Sequence, residues 1–544
     1  MIDINPLASH SDPVTLRIVG TFQGMPGNVA TIWLEGGRSQ CEQSGFIWQD
    51  AIIYSLMIDR FRNGDPLNDR PVDDPRVAWQ ANFNGGDFAG ISQTIRDGYF
   101  NRLGVNALWV SPVNQTTDSA FVEWPEPHRV FTGYHGYWPV SATQTEPRFG
   151  SLEEFQLLVK TAHSDHLAIL LDFVSNHTHI AHPFYRQHPE WYGRVDLPDG
   201  SQNIRRWDEY RLTTWFDTFL PSFDYENSAA ATEAMTDNAV WWLKTTGIDG
   251  FRHDATKHVP YQFWRSLTRK IARMERSDRS RSIFQIGETF GGNELIKSYV
   301  NNGMLNSQFN FGQFFAARRV FADPAGDFRD LEAELTKALE VYGDHHVMGN
   351  IMDSHDQVRM MAFLDGDLTL SDNGTERAWQ QPPITVDQAT SYDKALVFMT
   401  LLLTTPGIPI IYYGDEFGMT GANDPDNRRM MRFDDQLSPA ETRQLERVSE
   451  IVQLRRRISA LRRGDYRTLF TDRDIYLFCR GDLNGRVLIA LNKGQTERSL
   501  TIELPDWLTI RSAIPLTGKS QCIVNNHQIH LNLGAFESAV WFVQ

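Results

Sequence analysis

The densest run of ionisable side chains in the chain is Arg252-His253-Asp254-Ala255-Thr256-Lys257-His258, introduced by Gly247-Ile248-Asp249-Gly250-Phe251. If residues 250–254 form a strand, side chains alternate between its faces, so Arg252 and Asp254 share one face and Phe251 and His253 the other. A guanidinium beside a carboxylate lowers its pKa and keeps it ionised. An ionised, positioned carboxylate is what a nucleophile in sugar chemistry must be. It is also what a buried structural ion pair at a strand end looks like, so the rest of the chain has to decide.

Further acidic groups end other short apolar runs: Asp172 with Asn176-His177, Glu288, and His355-Asp356. Like charges repel, and several carboxylates gathered on one rim each need a partner, so chance rarely collects them. Convergent carboxylates suit either a metal site or glycosidic-bond chemistry. For a catalytic metal, His177 and His258 could serve as ligands, but no His-Glu-x-x-His spacing occurs. His253, on the opposite strand face, reads as packing, and Asp172 as a brace for the rim.

The elements that must position these groups are legible as strand-like runs at 51–57, 107–113, 167–174, 250–254, 283–288, 308–311, 347–353 and 408–413. Helix-period segments at 152–161, 228–245, 262–274, 330–342 and 395–403 lie between them. Strands apolar on both faces that alternate with helices indicate a parallel sheet covered by helices. Eight such units over roughly 400 residues predict an α/β chain built on a (β/α)8 barrel, whose reactive groups stand at the C-terminal ends of the strands. No Gly-rich phosphate fingerprint follows the first strand, which argues against a dinucleotide fold.

Around the barrel, residues 1–46 read as a short N-terminal β segment with alternation on either side of Gly24-Met25-Pro26-Gly27. The barrel spans 47–463 and contains a Pro- and aromatic-rich insertion at 177–227 after the third strand. So long a stretch without helical period implies a functional subdomain. Residues 464–544 alternate in short strands and predict a C-terminal antiparallel β-sandwich.

With 52 Lys and Arg against 68 Asp and Glu, the 544-residue chain carries a net charge of −16. That balance disfavours nucleic acid and anionic membrane as partners. Aromatic residues make up 12% of the chain, enough for stacking on sugars. Cys41, Cys479 and Cys522 lie far apart without metal-ligand spacing, so no disulfide scaffold is expected, although one bridge stays open. No apolar run reaches the length of a membrane span, and the N-terminus lacks the pattern of a secretory signal. A cytoplasmic location follows, or a periplasmic or secreted one if a signal was removed.

The blocks Asp172-Phe173-Val174-Ser175-Asn176-His177, Gly250 to His258, Ile286-Gly287-Glu288 and Ser354-His355-Asp356 together resemble the α-amylase family, glycoside hydrolase family 13. Gly133-Tyr134-His135-Gly136-Tyr137-Trp138 and Gly407-Ile408-Pro409 with Tyr413-Gly414-Asp415-Glu416 agree with it. The likeness runs from about residue 50 to 460, and its neopullulanase and cyclomaltodextrinase-like members look nearest. The resemblance implies that Asp254 is the nucleophile of a retaining reaction, Glu288 the general acid and then base, and Asp356 a binder of the distorted sugar's hydroxyls. It implies sugar contacts from Tyr137, Trp138, His177, Arg252 and His355, with Lys257 and His258 on the leaving-group side. It implies no organic cofactor.

Two positions depart from the family's habit. Ser354 stands where Asn is frequent, and Phe433 where Trp is frequent; both bear on specificity more than on the reaction. Asn63, Asp65, Asn68 and Asp69 on one tight turn, with Gly85 and Asp87 beyond, cluster the oxygen ligands that hard cations select. They resemble the calcium loop of cyclodextrin glucanotransferases and some cyclomaltodextrinases, which implies structural Ca²⁺; a polar Asx-turn loop without an ion is the alternative.

The expected activity is hydrolysis of α-1,4-glucosidic bonds in maltodextrins, pullulan or cyclodextrins. Transglycosylation by the same chemistry is the alternative, and a non-catalytic glucan-binding protein a remoter one. Relatives often dimerise through a full N-terminal domain. Only about 45 residues precede the barrel, so that dimer is not carried over and the oligomeric state stays open.

Overall fold

The computed structural model describes residues 46–277, 282–525 and 527–544 in full, together with the backbone of strands Val14–Phe22, Met25–Glu35 and Arg38–Ser39. The first two of these strands pair antiparallel, with Val14 opposite Leu34 and Phe22 opposite Met25. The ladder therefore runs through Met25 and Pro26, and the connection falls at residues 23–24, outside the described residues, rather than around Gly24-Met25-Pro26-Gly27. Proline has no N–H to give, and the register shifts between Val19 and Thr21, where Pro26 enters the ladder.

Eight parallel strands form the central sheet: β1 Ile53–Leu56, β2 Ala107–Val110, β3 Ala168–Phe173, β4 Gly250–His253, β5 Phe284–Gly287, β6 Ser307–Gln308, β7 Gly349–Ile351 and β8 Ile408–Tyr412. Neighbours pair in chain order, β8 returns to β1, and a parallel bridge between Phe309 and Gly349 closes the ring. A strand stands at each of the eight expected places, each shorter than its run, with β6 at Ser307–Gln308 overlapping the expected 308–311 at one residue.

Alternation along the strands builds two layers. Ile53, Ala107, Trp109, Ala168, Leu170, Phe284, Ile286, Ile351 and Ile410 face inward and fill the barrel. Tyr54, Leu108, Ile169, Leu171, Phe251 and Ile411 face outward into the layer of helices. Two helix boundaries explain how the reactive strands are aimed. Helix Leu152–Ser164, which leads into β3, begins with a capping box of Ser151 and Glu154. Helix Ala229–Thr246 ends at Gly247, whose φ of 80° is the left-handed conformation that stops a helix without a Cβ clash.

Between β3 and that helix the chain makes its excursion, with a short helix at Pro183–Gln187 and isolated bridges such as His177–Ser222 and Tyr192–Phe223. After helix Ser459–Arg463 only strands follow. A five-stranded antiparallel sheet packs on a three-stranded one, with Leu477, Leu488 and Trp541 meeting Ile502, Ile529 and Leu531. The other face of the larger sheet, Tyr476, Phe478, Ile489 and Val540, joins the barrel's outer core.

Candidate active site

Within the β3–β4–β5 ladder Asp172 lies beside Arg252, and Arg252 beside Ile286. Asp254 and Glu288 each follow two residues further on the same inward face. The Arg252 guanidinium is 1% exposed and organises all three acids. Its Nη1 donates to Asp172 Oδ1 at 2.8 Å and to Asp254 Oδ1 at 2.9 Å, and its Nη2 donates to Glu288 Oε2. Trp109, in the layer beneath, donates Nε1–H to Asp172 Oδ2 at 3.0 Å, and the Tyr137 hydroxyl donates to the same oxygen at 2.7 Å. Asp172 is thus saturated and braces the rim. Asp254 and Glu288 each give Arg252 one oxygen, and their side chains are 11% and 21% exposed against 0% for Asp172.

The turns after β4 and β5 lock together. Ala255 adopts φ 50°, a left-handed conformation that costs a non-glycine residue about 1 kcal/mol or more. Thr256 stabilises that turn: its hydroxyl donates to His253 O at 3.2 Å and accepts from Glu288 N–H at 3.1 Å, while its own N–H donates to Glu288 O at 2.9 Å. The carriers of Asp254 and Glu288 cannot move independently.

Asp356 stands across the mouth with its side chain 46% exposed. Ser354 accepts the Asp356 N–H through its hydroxyl at 3.2 Å, so the serine still closes this turn. Asn427 Nδ2 donates to the carbonyls of His355 at 2.8 Å and Gln357 at 2.9 Å. Arg428 donates Nε–H to His355 O at 2.8 Å and reaches Asp356 Oδ1 at 3.4 Å, Asp424 Oδ1 at 3.0 Å and the Tyr134 hydroxyl at 3.1 Å. The loop after β8 therefore holds the loop after β7.

Charge crowding sets the protonation pattern. Burial pushes Asp254 well above the ordinary carboxylate range; Arg252 opposes the shift, and Glu288, Asp172 and Asp356 add to it. Burial likewise raises Glu288 against the pull of Arg252. Arg252 pulls Asp254 towards the ionised form as expected from sequence, but its one positive charge is divided among three acids. Burial acts to raise Asp356 too, yet His355, Arg428 and Arg252 outweigh it and hold this acid below its usual range. His355 is itself driven down to about 3 by burial. Its Nε2 lies 3.2 Å from Asp356 Oδ2, where a proton on the ring favours the ionised acid.

The remaining residues singled out from sequence fall around this centre. Tyr137 stacks on His355 with ring centroids 5.2 Å apart. His177 is buried and bonds the Tyr137 carbonyl through Nε2 at 2.9 Å, with its ring stacked on Trp215. It supports Tyr137 from below. Trp138 packs with Trp215, Phe219 and Ala255. Lys257 donates Nζ–H to Phe290 O at 2.7 Å, and His258 Nδ1 lies 2.7 Å from Arg211 O between the rings of Trp207 and Trp215. His253 is wholly buried against Gln285 and Trp264. Among the described residues no three His, Cys, Asp or Glu side chains gather as a metal centre. Sequence reasoning did not single out Trp109, Thr256, Asp424, Asn427 or Arg428 for these contacts; the adjacent arginines after β8 were the available signal.

The loop after β1 gathers oxygen donors of the kind a hard cation takes. The Oδ1 atoms of Asn63 and Asn68 are buried without a hydrogen-bond partner, which leaves two carbonyl-type oxygens needing a positive partner. Gly85 has φ 93°, and a Cβ there would come within 2.6 Å of Asn63 Nδ2 and Asp69 Oδ1. Asp65 and Asp69 carry the negative charge of the same turn. This donor set fits Ca²⁺. Asp87 joins the same cluster: its carboxylate accepts from Asn68 Nδ2 at 3.4 Å and from the N–H groups of Gly64, Asp65 and Gly90, and it caps helix Phe88–Arg96.

Comparison with known proteins agrees with this architecture. The cyclomaltodextrin glucanotransferase of Bacillus sp. (strain 1-1) is 28% identical over 470 residues, which are 83% of this chain and 61% of that protein. Neopullulanase 2 of Thermoactinomyces vulgaris is 26% identical over 495 residues, 87% of this chain and 75% of that one. The chain spans 60% to 67% of the length of the glucanotransferases it matches. Among solved structures, an Anoxybacillus alpha-amylase superposes with a TM-score of 0.75 at 26% identity, covering 92% of this chain and 98% of its own. The alpha-amylase catalytic domain is matched over residues 55–451, from β1 into helix Pro439–Arg457. The chain belongs to the alpha-amylase family, glycoside hydrolase family 13.

Proposed function

We propose that the chain is a retaining α-glucan hydrolase cleaving α-1,4-glucosidic bonds in starch-derived maltodextrins, pullulan or cyclodextrins. The observation that carries this reading is the one guanidinium shared by Asp254 and Glu288. Both carboxyls lie within reach of one side chain, which supports the close pair of a retaining glycosidase, about 5–5.5 Å apart, over the about 6.5–9.5 Å of an inverting one. Asp254 attacks the anomeric carbon as the glycosidic bond breaks, and Glu288 gives its proton to the departing oxygen. Glu288 then takes a proton from water, which displaces the sugar from Asp254. The first step needs one proton on the pair, and the raised pKa values of both acids supply it in a coupled titration.

Asp356, held low by its arginines, stays ionised to accept sugar hydroxyls and stabilise positive charge at the ring. Tyr137 offers the sugar an aromatic face. Lys257 and His258 are assigned to the leaving-group side. The Ca²⁺ reading assigns Asn63, Asp65, Asn68, Asp69 and the Gly85 carbonyl as ligands, with Asp87 as the capping frame of the loop. The ion would join the excursion after β1 to the rest of the barrel and takes no part in the reaction. The net charge of −16 supports a neutral saccharide partner, and no described helix is long and apolar enough to cross a membrane.

A second reading, transfer of the glycosyl group to another sugar, is favoured by Phe290. This ring lies two residues past Glu288, is 48% exposed, packs on Phe311 and Phe315, and has its carbonyl bound by Lys257. An exposed aromatic face on the leaving-group side would hold an acceptor sugar in place of water. Products from maltotriose alone, resolved by chain length, decide between the two. Only shorter sugars support hydrolysis, and longer or cyclic ones support transfer.

A further inference from the structure

Two short strands after β2, Phe121–Val122 and Val130–Phe131, pair antiparallel as a hairpin on the rim of the barrel. The subdomain after β3 holds one side of it. Phe121 packs on His179 and Phe219, with ring centroids 4.5 and 4.7 Å away, and the Trp124 N–H donates to Asp217 Oδ1 at 2.6 Å. The excursion between β7 and β8 holds the other side: Phe131 meets Trp379 edge to face at 5.5 Å, and the Arg129 guanidinium lies over the same indole at 4.9 Å. Trp379 shares an apolar cluster with Val358, which lies shortly after Asp356 in the chain. Since β8 pairs with β1 and β1 with β2, a link from the β2 loop to the β7 excursion spans the β8 and β1 sector of the rim.

In the proposed reaction the leaving group departs over Glu288, Lys257 and Phe290, which follow β4 and β5. The retained chain runs the other way, past Tyr137 after β2 and Asp356 after β7. Two rings join the hairpin to that floor: Phe121 meets Trp138 at 5.9 Å, Trp138 meets His135 at 5.1 Å, and His135 stacks on Tyr137 at 5.6 Å. Burial raises Glu123 of the hairpin above its ordinary range against the pull of Arg129, and Asp217 and Asp424 add to the shift. Glu123 is therefore within electrostatic reach of Asp424, the carboxylate that pairs with Arg428. A hairpin tied on both sides is a fixed wall, and it stands where the retained chain would extend.

We infer that the hairpin at 121–131 closes the glycone end of the cleft, so that the enzyme takes an α-glucan by its non-reducing end and releases short products of one length. The inference rests on the proposed α-glucan reading and adds a direction to it. Among the proposed substrates it favours linear maltodextrins, whose ends reach the wall, over the interior bonds of a polymer. Selectivity of this kind comes from a clash built against the wrong substrate rather than from a better grip on the right one. An interior segment would have to pass through the wall, whereas a chain end stops at it.

The test compares two p-nitrophenyl maltoheptaosides by chromatography of the labelled products, one with a free non-reducing end and one with that end blocked as a 4,6-O-ethylidene acetal. The free substrate should be cleaved with kcat/KM about tenfold or more above that of the blocked one. Replacing the exposed tip, residues 124–128, by Asn-Gly makes a two-residue hairpin turn and removes the contact between Trp124 and Asp217. The preference should then fall to about threefold or less. Trp379→Ala frees the opposite side and should lower the preference in the same direction. Equal cleavage of both substrates by wild type overturns the proposal, and so does a preference unchanged in both variants. Titration calorimetry on the Glu288→Gln protein separates the wall from the chemistry: its Kd for the blocked substrate should be about tenfold or more above that for the free one. That binding preference, lost with the shortened hairpin, in a wild-type protein that cleaves neither substrate would uphold the wall and refute the catalytic reading. Neither cleavage nor binding of either substrate overturns both.

Discussion

Asp254 and Glu288 are joined through a single guanidinium, Asp254 Oδ1 taking one terminal nitrogen of Arg252 at 2.9 Å and Glu288 Oε2 the other. A planar fork can hold two acids at a fixed spacing, and an ammonium cannot. Arg252→Lys keeps the charge and loses the geometry. Its kcat should fall by about 10²–10³-fold with a smaller change in KM. Steady-state kinetics on maltotriose, beside a circular-dichroism melt to show that the fold persists, checks this. A kcat within a few-fold of wild type would mean that the shared guanidinium is not what sets the spacing.

Burial raises both acids above their ordinary values, and this fixes a sign for stability. A carboxylate whose folded-state pKa is raised favours the folded state below its unfolded pKa, and that contribution is lost as pH rises through the raised value. Glu288→Gln removes a group that is disfavoured when charged, so the variant should melt above wild type at pH 7. The gain should shrink as pH falls towards the ordinary glutamate value of about 4.3. Melting curves from pH 4 to 8 read it, and a gain that grows on acidification would contradict the shift.

The same shifts govern rate. The proposed reaction needs ionised Asp254 and protonated Glu288, so kcat/KM should follow a bell with its acid limb above the ordinary aspartate range and its alkaline limb above the ordinary glutamate range. Asp356 sits below its usual range and should not contribute to the acid limb. A plateau that persists through pH 9 would remove Glu288 from the role of acid.

Asn427 donates to two carbonyls of the loop that carries Asp356. Asn427→Ala leaves those carbonyls without the donor and should cost about 1–3 kcal/mol of stability. It should also lower kcat/KM by about tenfold through displacement of Asp356, although Asn427 touches no substrate. Denaturant unfolding and kinetics on one preparation test both, and loss of stability without loss of rate would confine Asn427 to the fold.

Calcium should raise the melting temperature of protein treated with a chelator. An ion at 100 times its Kd stabilises the native state by about 2.7 kcal/mol. Asn68→Ala with Asp69→Ala should abolish that response. A response that survives the double substitution would place the ion elsewhere.

The eight strands of the barrel were legible because each is a short apolar run bounded by polar or glycine residues, as at Gly250 and Gly287. Their lengths were not. The run 51–57 stays apolar beyond Ile53–Leu56 because residues past the ladder still pack beneath the helices. Alternation alone put Arg252 and Asp254 on one face and His253 in the core. What could not be read were contacts between distant segments: Arg428 lies 72 residues from Asp356 and Trp109 lies 63 from Asp172. Nor could alternation show that Arg252 serves three acids and so only partly offsets the burial of Asp254. The left-handed Ala255 carried no glycine to announce it.

A retaining double displacement at Asp254 and Glu288 leaves a stereochemical signature. Proton NMR of the first product released from maltotriose or β-cyclodextrin tests it most directly, with Asp254→Asn and Glu288→Gln beside the wild-type enzyme. The account requires the α-anomer to form first, with β appearing only by mutarotation, and both variants to lose about 10³-fold or more in kcat. First release of the β-anomer, or near-normal turnover by either variant, would contradict it.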